Sequence, residues 1–222
     1  MSAAEPSVVP IARAGRGLSL LAVLPAAGAP AEWDAADPAL GARLVAYEEV
    51  AALVCPATPE GADADPMHVT ARHWEVHRAL LRGDVVPAPP GVVFADEGGV
   101  ARFLAESYGS LRAALARVRG KWEFRLHVEV VESAFPQAKA LDLATHIYAE
   151  LRRASSAALT YAHTGKRVLS AAFLVERARS DAFRAKLEQL SRLNSALDLD
   201  LTGPWPPYDF VVMHTPPPVQ AR

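Results

Sequence analysis

Residues 121–130, KWEFRLHVEV, alternate apolar and polar without a single exception. Trp122, Phe124, Leu126, Val128 and Val130 fall on one side, and Lys121, Glu123, Arg125, His127 and Glu129 on the other. A period of two puts successive side chains on opposite faces of a strand, so this segment is predicted to bury one face and keep the other wet. The next stretch, PQAKALDLATHIYAELRR, has helical spacing with Pro136 placed for its first turn. SAALTY and RVLSAAFLV are short strands joined by the turn AHTGK, and SDAFRAKLEQLSRLN is a helix with Ser180 as its N-cap. LDLDL alternates again, and DFVVM, the last apolar run, reads as a final strand segment. The order strand–helix–strand–strand–helix–strand is that of a ferredoxin-like, split βαβ unit.

The first half carries a related but less regular pattern. LSLLAVL is a strand, and RLVAYEEVAALVCPA carries a second, ended by Pro56; TPEGADADP is a loop. MHVTARHWEVHRALLRG is a helix with Val69, Val76 and Leu80 on one face and Gly83 as its stop. After the broken extended segment VVPAPPGVVF comes the strongest helix, running from Glu97 to Gly120 with Val100, Phe103, Leu104, Ser107, Leu111, Leu115 and Val118 in phase. The fold class is therefore α+β in two small domains, the C-terminal one βαββαβ ferredoxin-like and the N-terminal one a related sandwich. The expected divisions are a tail over residues 1–17, domains over 18–119 and 120–214, and a tail over 215–222.

Charge and composition exclude several classes. A net charge of −2 and a pI near 6.4 do not suit a nucleic-acid binder. The charge is split, with −7 over residues 1–100 and +5 over 101–222, which suits two domains that attract each other or two faces for different partners. Cys55 is the single cysteine, so no internal disulfide is expected and a small core residue is the reading. ARAGRGLSLLAVLPAAGA only loosely mimics a secretory signal, and no run reaches the ~18 apolar residues that span a bilayer. A soluble, cytoplasmic protein with no membrane partner is expected.

No catalytic constellation emerges. His73 and His77 stand four apart on a helix, but HExxH is absent and no further ligand cluster accompanies them, so no metal is expected. AHTGKR fails as a phosphate loop, with Thr160 where a glycine is required and Arg167 where Ser or Thr is required. Gly98-Gly99 follows Asp96-Glu97, a poor cradle for phosphate. Glu48-Glu49, Asp198 and Asp200 read as solvent-facing, and Arg125, His127 and Glu129 read as the wet face of their strand. No cofactor is expected.

The closing stretch LTGPWPPYDFV is stiff. Gly203 permits a bend, Pro204, Pro206 and Pro207 fix φ, and Trp205 and Tyr208 ride on the rigid segment. Physics leaves two readings open, a lid packed over the core or an aromatic docking edge. The stretch resembles the closing signature of the gas vesicle F/L (GvpF/GvpL) family, through Leu201, Thr202, Gly203, Pro204, Trp205, Pro206, Pro207, Tyr208 and Phe210. Asp209 stands where that family usually has serine, at a position expected to be exposed. LVAYEEVAALVCPATP resembles the family's early strand pair, RHWEVHRALLRGDVVP its histidine-bearing helix, with His73 at the family's histidine, and VRGKWEFRLHV its central strand. AAFLVERARSDAFRAKLEQL resembles its late strand and helix. Two departures stand out. Ala88-Pro89-Pro90-Gly91 replaces the usual Leu-Arg-Phe-Gly, and the first strand lacks the family's tyrosines.

The resemblance implies a non-enzymatic accessory protein of gas vesicle assembly. Its partners would be the main shell subunit and other accessory proteins, and its location the cytoplasm, at gas vesicles. The closing-motif residues are the candidate interaction residues, with the second domain, through Trp205, Tyr208 and Phe210, holding the binding surface in shape. The competing reading is a ferredoxin-like module that binds or senses a small molecule in an inward polar pocket. A metal-dependent enzyme on His73 and His77 is a third.

Overall fold

The computed structural model describes residues 17–30, 32–35, 38–57, 66–131, 135–162 and 165–213. The expected tails before residue 17 and after 214, and the loop at 58–65, lie outside the described residues. Contacts divide the chain into two compact units, the first holding residues up to Ala79 and Ala88–Ala113, the second Leu80–Pro87 and Ala114–Val212.

In the first unit, β1 (Leu18–Pro25) is buried from Leu18 to Leu24, as suits an apolar run with no polar alternation. It pairs antiparallel with β3 (Val50–Pro56), which pairs on its other side with β2 (Arg43–Tyr47). The two-residue β4 (Val93–Phe94) lies antiparallel to the start of β1. Helix α1 (Pro66–Arg82) buries Val76, Ala79 and Leu80, and α2 (Glu97–Glu106) packs on β2 and β3. The α2 start is fixed by Asp96, whose Oδ1 accepts the Gly99 N–H at 2.8 Å.

Two elements differ from the sequence reading. Over RLVAYEEVAALVCPA, where the residue pattern predicts one strand and the family resemblance a strand pair, the chain forms a hairpin, β2–β3, turned at Glu48-Glu49, where Glu48 takes φ +48. The single helix expected from Glu97 to Gly120 breaks at Ser107 into α2 and α3 (Tyr108–Val118). Ser107, Tyr108, Gly109 and Ser110 are all weak helix formers, while the in-phase apolar face continues through Leu111, Leu115 and Val118.

The second unit is built as expected. β5 (Lys121–Val130), α4 (Gln137–Arg153), β6 (Ala157–Thr160), β7 (Arg167–Glu176), α5 (Ser180–Leu193) and β8 (Leu197–Trp205) follow in that order. The sheet order is β6-β7-β5-β8, all antiparallel, which places the first and third strands of the motif at the centre. Both helices cover one face. Phe124, Leu126 and Val128 of β5 meet Ala144, Ile147 and Leu151 of α4 and Phe183, Leu187 and Leu190 of α5. Phe183 sits 5.6 Å from Phe124 and 5.5 Å from Phe173, ring centre to ring centre, in a tilted aromatic cluster. Pro136 caps α4 rather than occupying its first turn, and Ser180 is the first residue of α5, its Oγ donating to the Arg177 carbonyl at 2.8 Å. The Leu80–Pro87 segment is tied in by Asp84, whose Oδ1 accepts the Gly120 N–H at 2.8 Å. Arg177 donates to the Gly83 carbonyl at 2.6 Å.

Candidate functional site

The closing motif is not a loop between two strands. β8 runs through Leu201, Thr202, Gly203 and Pro204 to Trp205, along β5, and DFVVM is no strand: Tyr208–Phe210 form a single 3-10 turn. The reason lies at Gly203. Its φ is +125, and a Cβ there would stand 2.9 Å from the Glu123 carbonyl oxygen and 3.0 Å from Phe124 Cδ1. Only glycine lets the backbone pass so close to β5. The Gly203–Pro204 peptide is cis. Arg184 of α5 donates to the Gly203 carbonyl at 3.1 Å and lies over the Phe124 ring at 5.0 Å.

Past Trp205 the chain crosses to the sheet face opposite the helices. Pro206 and Pro207 are buried, the Tyr208 N–H donates to the Pro206 carbonyl at 2.7 Å, and Phe210 packs on Ala172 and Leu174 of β7. Ala157, Leu159 and Tyr161 complete that small outer core. The segment is thus a strap over one end of the sheet's second face.

A polar network latches it. The Asp209 N–H donates to Glu123 Oε2 at 2.9 Å, and Arg125 Nε donates to Glu123 Oε1 at 2.7 Å. Arg125 also donates to Asp209 Oδ2 at 2.9 Å, and the Tyr161 hydroxyl donates to the same oxygen. Glu123 is fully buried. Two carboxyl groups here share one guanidinium and one of them is fully buried, so they cannot both ionise cheaply. Burial, with Asp209 beside it, pushes Glu123 up to about 8. Burial would raise Asp209 as well, but hydrogen bonds from Glu123, Tyr161 and Arg125 outweigh it and hold that carboxyl below its ordinary range. Burial and the Asp209 carboxylate raise the Tyr161 phenol, and burial pushes Tyr208 to about 12.

Two readings are corrected by this geometry. The polar side of β5 is not a uniformly wet face, because the strap covers Glu123 and half-buries Arg125. Asp209 is not an exposed bystander; it bonds to three residues of the sheet unit. Further along the same face His127 Nδ1 lies 3.0 Å from the hydroxyl of Ser170, itself buried. Burial, with Arg167 nearby, lowers the His127 pKa.

The aromatic residues of the motif part company. Phe210 is buried, Tyr208 half-buried, and Trp205 is 40% exposed, its indole N–H donating to Thr202 Oγ1 at 3.0 Å. Trp205 ends an edge strand and is presented outward. His73 and His77 lie on α1, where His77 stacks on Trp74, and among the described residues no group of three or more His, Cys, Asp or Glu could hold a metal. Glu75 of the same helix is fully buried and accepts the Trp33 indole N–H at 2.8 Å. Cys55 is buried in β3. A shallow cleft of about 610 Å³ lies at the end of α4 and is lined by Tyr148, Arg152, Ser155 and Ser156 among others. No helix among the described residues is long and apolar enough to cross a membrane.

The fold and site define a two-unit α+β protein whose ferredoxin-like unit is closed by a latched proline–tryptophan strap. The family model described as gas vesicle synthesis protein GvpL/GvpF matches residues 22–141 and 133–212, and the chain belongs to that family. Gas vesicle protein F2 of Halobacterium salinarum is 28% identical over 192 residues, covering 82% of this chain and 85% of that one. Gas vesicle protein F of a Streptomyces species is 33% identical over 120 residues, about half of each chain (52% and 50%). Among solved structures, GvpF from an Anabaena species superposes with a TM-score of 0.76 at 16% identity, covering 90% of this chain and 98% of that one. GvpF from Microcystis aeruginosa gives a TM-score of 0.74 at 13% identity, covering 88% and 98%. These likenesses place the fold as that of the gas vesicle F proteins.

Proposed function

We propose that the protein is a cytoplasmic accessory factor of gas vesicle assembly, without catalytic activity, that binds the hydrophobic shell subunit and other accessory proteins. The observation that carries this is family membership across both units of the chain. A shell subunit with a water-repelling face exposes more contiguous apolar surface than a soluble monomer tolerates, and requires a partner until it assembles. The edge of the second sheet supports the reading. Among the described residues β8 pairs on one side only, with β5, and its other edge ends in the outward Trp205, a form of surface that can add an extended segment of another chain. In this reading half-buried Gly203 and the buried Pro206, Pro207 and Phe210 hold the edge in shape, and Trp205 makes contact.

Co-expression of the tagged protein with a shell subunit, followed by affinity capture, tests the proposal. The expected result is soluble shell subunit retained by the tagged chain and retained less by Trp205→Ala. A shell subunit that stays insoluble and uncaptured would overturn the function. Undiminished capture by folded Trp205→Ala would overturn the assignment of the contact alone.

A further inference from the structure

The edge of β8 has a definite backbone phase. The Val131 N–H donates to the Ala196 carbonyl at 3.1 Å, and from Val130/Leu197 to Arg125/Thr202 the β5–β8 register runs without a shift. In an antiparallel ladder, hydrogen-bonded pairs alternate with non-hydrogen-bonded ones. Asp198 and Asp200 therefore turn their backbone groups to β5, and Leu197, Leu199 and Leu201 turn theirs outward. Leu197 agrees with this phase, since its N–H leaves the ladder and donates to the Asn194 carbonyl at 2.9 Å. The N–H and C=O groups of Leu199 and Leu201 face the side on which β8 has no neighbouring strand among the described residues.

The side chains along this edge divide by the same alternation. Leu197, Leu199 and Leu201 lean on the core beneath the helices, so Asp198 and Asp200, both exposed, project from the opposite face. Their neighbours across the ladder do not neutralise them. Glu129, opposite Asp198, is already paired with Arg167 at 3.0 Å. Burial, with Arg167 nearby, lowers the pKa of His127, opposite Asp200, so near neutral pH that ring leaves the carboxylate its charge. Among the described residues neither aspartate enters an ion pair. On the helix side a groove of about 370 Å³ opens between β8 and α5, lined by Leu187, Glu188, Ser191, Arg192 and Leu199. Glu188 and Arg192 stand one turn apart and offset each other, so this side favours an apolar residue.

An antiparallel strand laid on the edge would place residues opposite Leu199 and Leu201 in hydrogen-bonded pairs, turned towards the groove. Residues opposite Asp198 and Asp200 would fall in the non-hydrogen-bonded pairs, where side chains stand closest. Opposite charges are favourable there and like charges are not. We propose that the β8 edge takes an extended antiparallel segment of a partner protein in which basic residues alternate with apolar ones. The basic side chains meet Asp198 and Asp200, and the apolar ones turn towards α5. This rests on the reading of β8 as an interaction edge and adds the kind of sequence that the edge selects.

The test uses dye-labelled seven-residue peptides titrated by fluorescence anisotropy against the full chain at low ionic strength. One alternates valine with lysine, one alternates valine with glutamate, and two are the lysine peptide N-methylated at its valines or at its lysines. The expected result is saturable binding of the lysine peptide and about tenfold weaker binding of the glutamate peptide. Methylated valines, which can no longer donate to β8, should also cost about tenfold, whereas methylated lysines, whose N–H groups point away, should leave binding unchanged. Asp198→Asn/Asp200→Asn, with an unchanged Tm, should bring the lysine and glutamate peptides to within about threefold of each other. No saturable binding, equal binding of the two charge types, indifference to valine methylation, or an unchanged preference in the folded variant would overturn the proposal. The comparisons on the unaltered chain decide even if the variant misfolds. Shell-subunit capture separates this inference from the function proposed above. Capture without the peptide preference strikes the inference and leaves the assembly role standing; the preference without capture does the reverse.

Discussion

Glu123 sets how the second unit should respond to pH. Its carboxyl is fully buried and raised from 4.5 to about 8, so the folded state holds a proton that the unfolded chain has already released. The stability this gives is complete below about pH 4.5 and is lost as pH rises through about 8. At about 1.4 kcal/mol per pH unit, that interval accumulates to at most about 5 kcal/mol. Asp209 acts with the opposite sign but outside this window. Its carboxyl is held below 3.8, so its contribution is present above that pH and lost only on further acidification. Between pH 5 and 8, therefore, Glu123 should dominate and the protein should weaken. Glu123→Gln keeps the shape and cannot ionise. Thermal and urea unfolding of both proteins at pH 5, 6, 7 and 8 isolates the effect, because the two chains differ at this one carboxyl. The expected result is a wild-type stability that falls relative to Glu123→Gln as pH rises. A relative fall of only 2 kcal/mol would move Tm by about 4–8 °C in a chain of this size. Parallel curves, or a wild type that gains on the variant with rising pH, would refute the reasoning.

Other substitutions probe the same structure. Gly203→Ala should cost about 2–4 kcal/mol in urea unfolding, since its Cβ would meet the Glu123 carbonyl at 2.9 Å on a backbone at φ +125. Asp209→Ser keeps the backbone N–H on Glu123 but removes the neighbouring carboxylate, so the pH at which stability is lost should move below about 8, read from the same unfolding series. Trp33→Phe withdraws the indole N–H from buried Glu75 and should cost about 1–3 kcal/mol by chemical denaturation, leaving the β8 edge and shell-subunit capture unchanged.

The order of elements in the second unit was legible because β5 alternates cleanly and each helix carries its own apolar stripe, so local period and global packing agree. The β2–β3 hairpin was not, because its turn is Glu48-Glu49, with no Gly, Asn or Pro to mark it. DFVVM misled for a different reason: a short apolar run fits a strand or a packed turn equally, and Phe210 is buried from a 3-10 turn. Glu123 was hidden by the very alternation that revealed its strand. A period of two says which side a residue faces, and polar residues on that side suggested water. What covers the side is Asp209, 86 residues away, and no local pattern reports that pairing. Glycines and prolines in the motif predicted a stiff segment, but not the direction in which it folds.

The most direct measurement of the strap is amide hydrogen exchange at Asp209, followed by NMR in the full chain near pH 6. A latched segment requires that this N–H, bonded to the buried Glu123 carboxyl at 2.9 Å, be strongly protected and lose its protection in Glu123→Ala while the α4 and α5 amides keep theirs. Exchange at the rate of an open loop in the wild type would contradict it, and with it the view that the proline–tryptophan signature serves to fix the edge of this sheet.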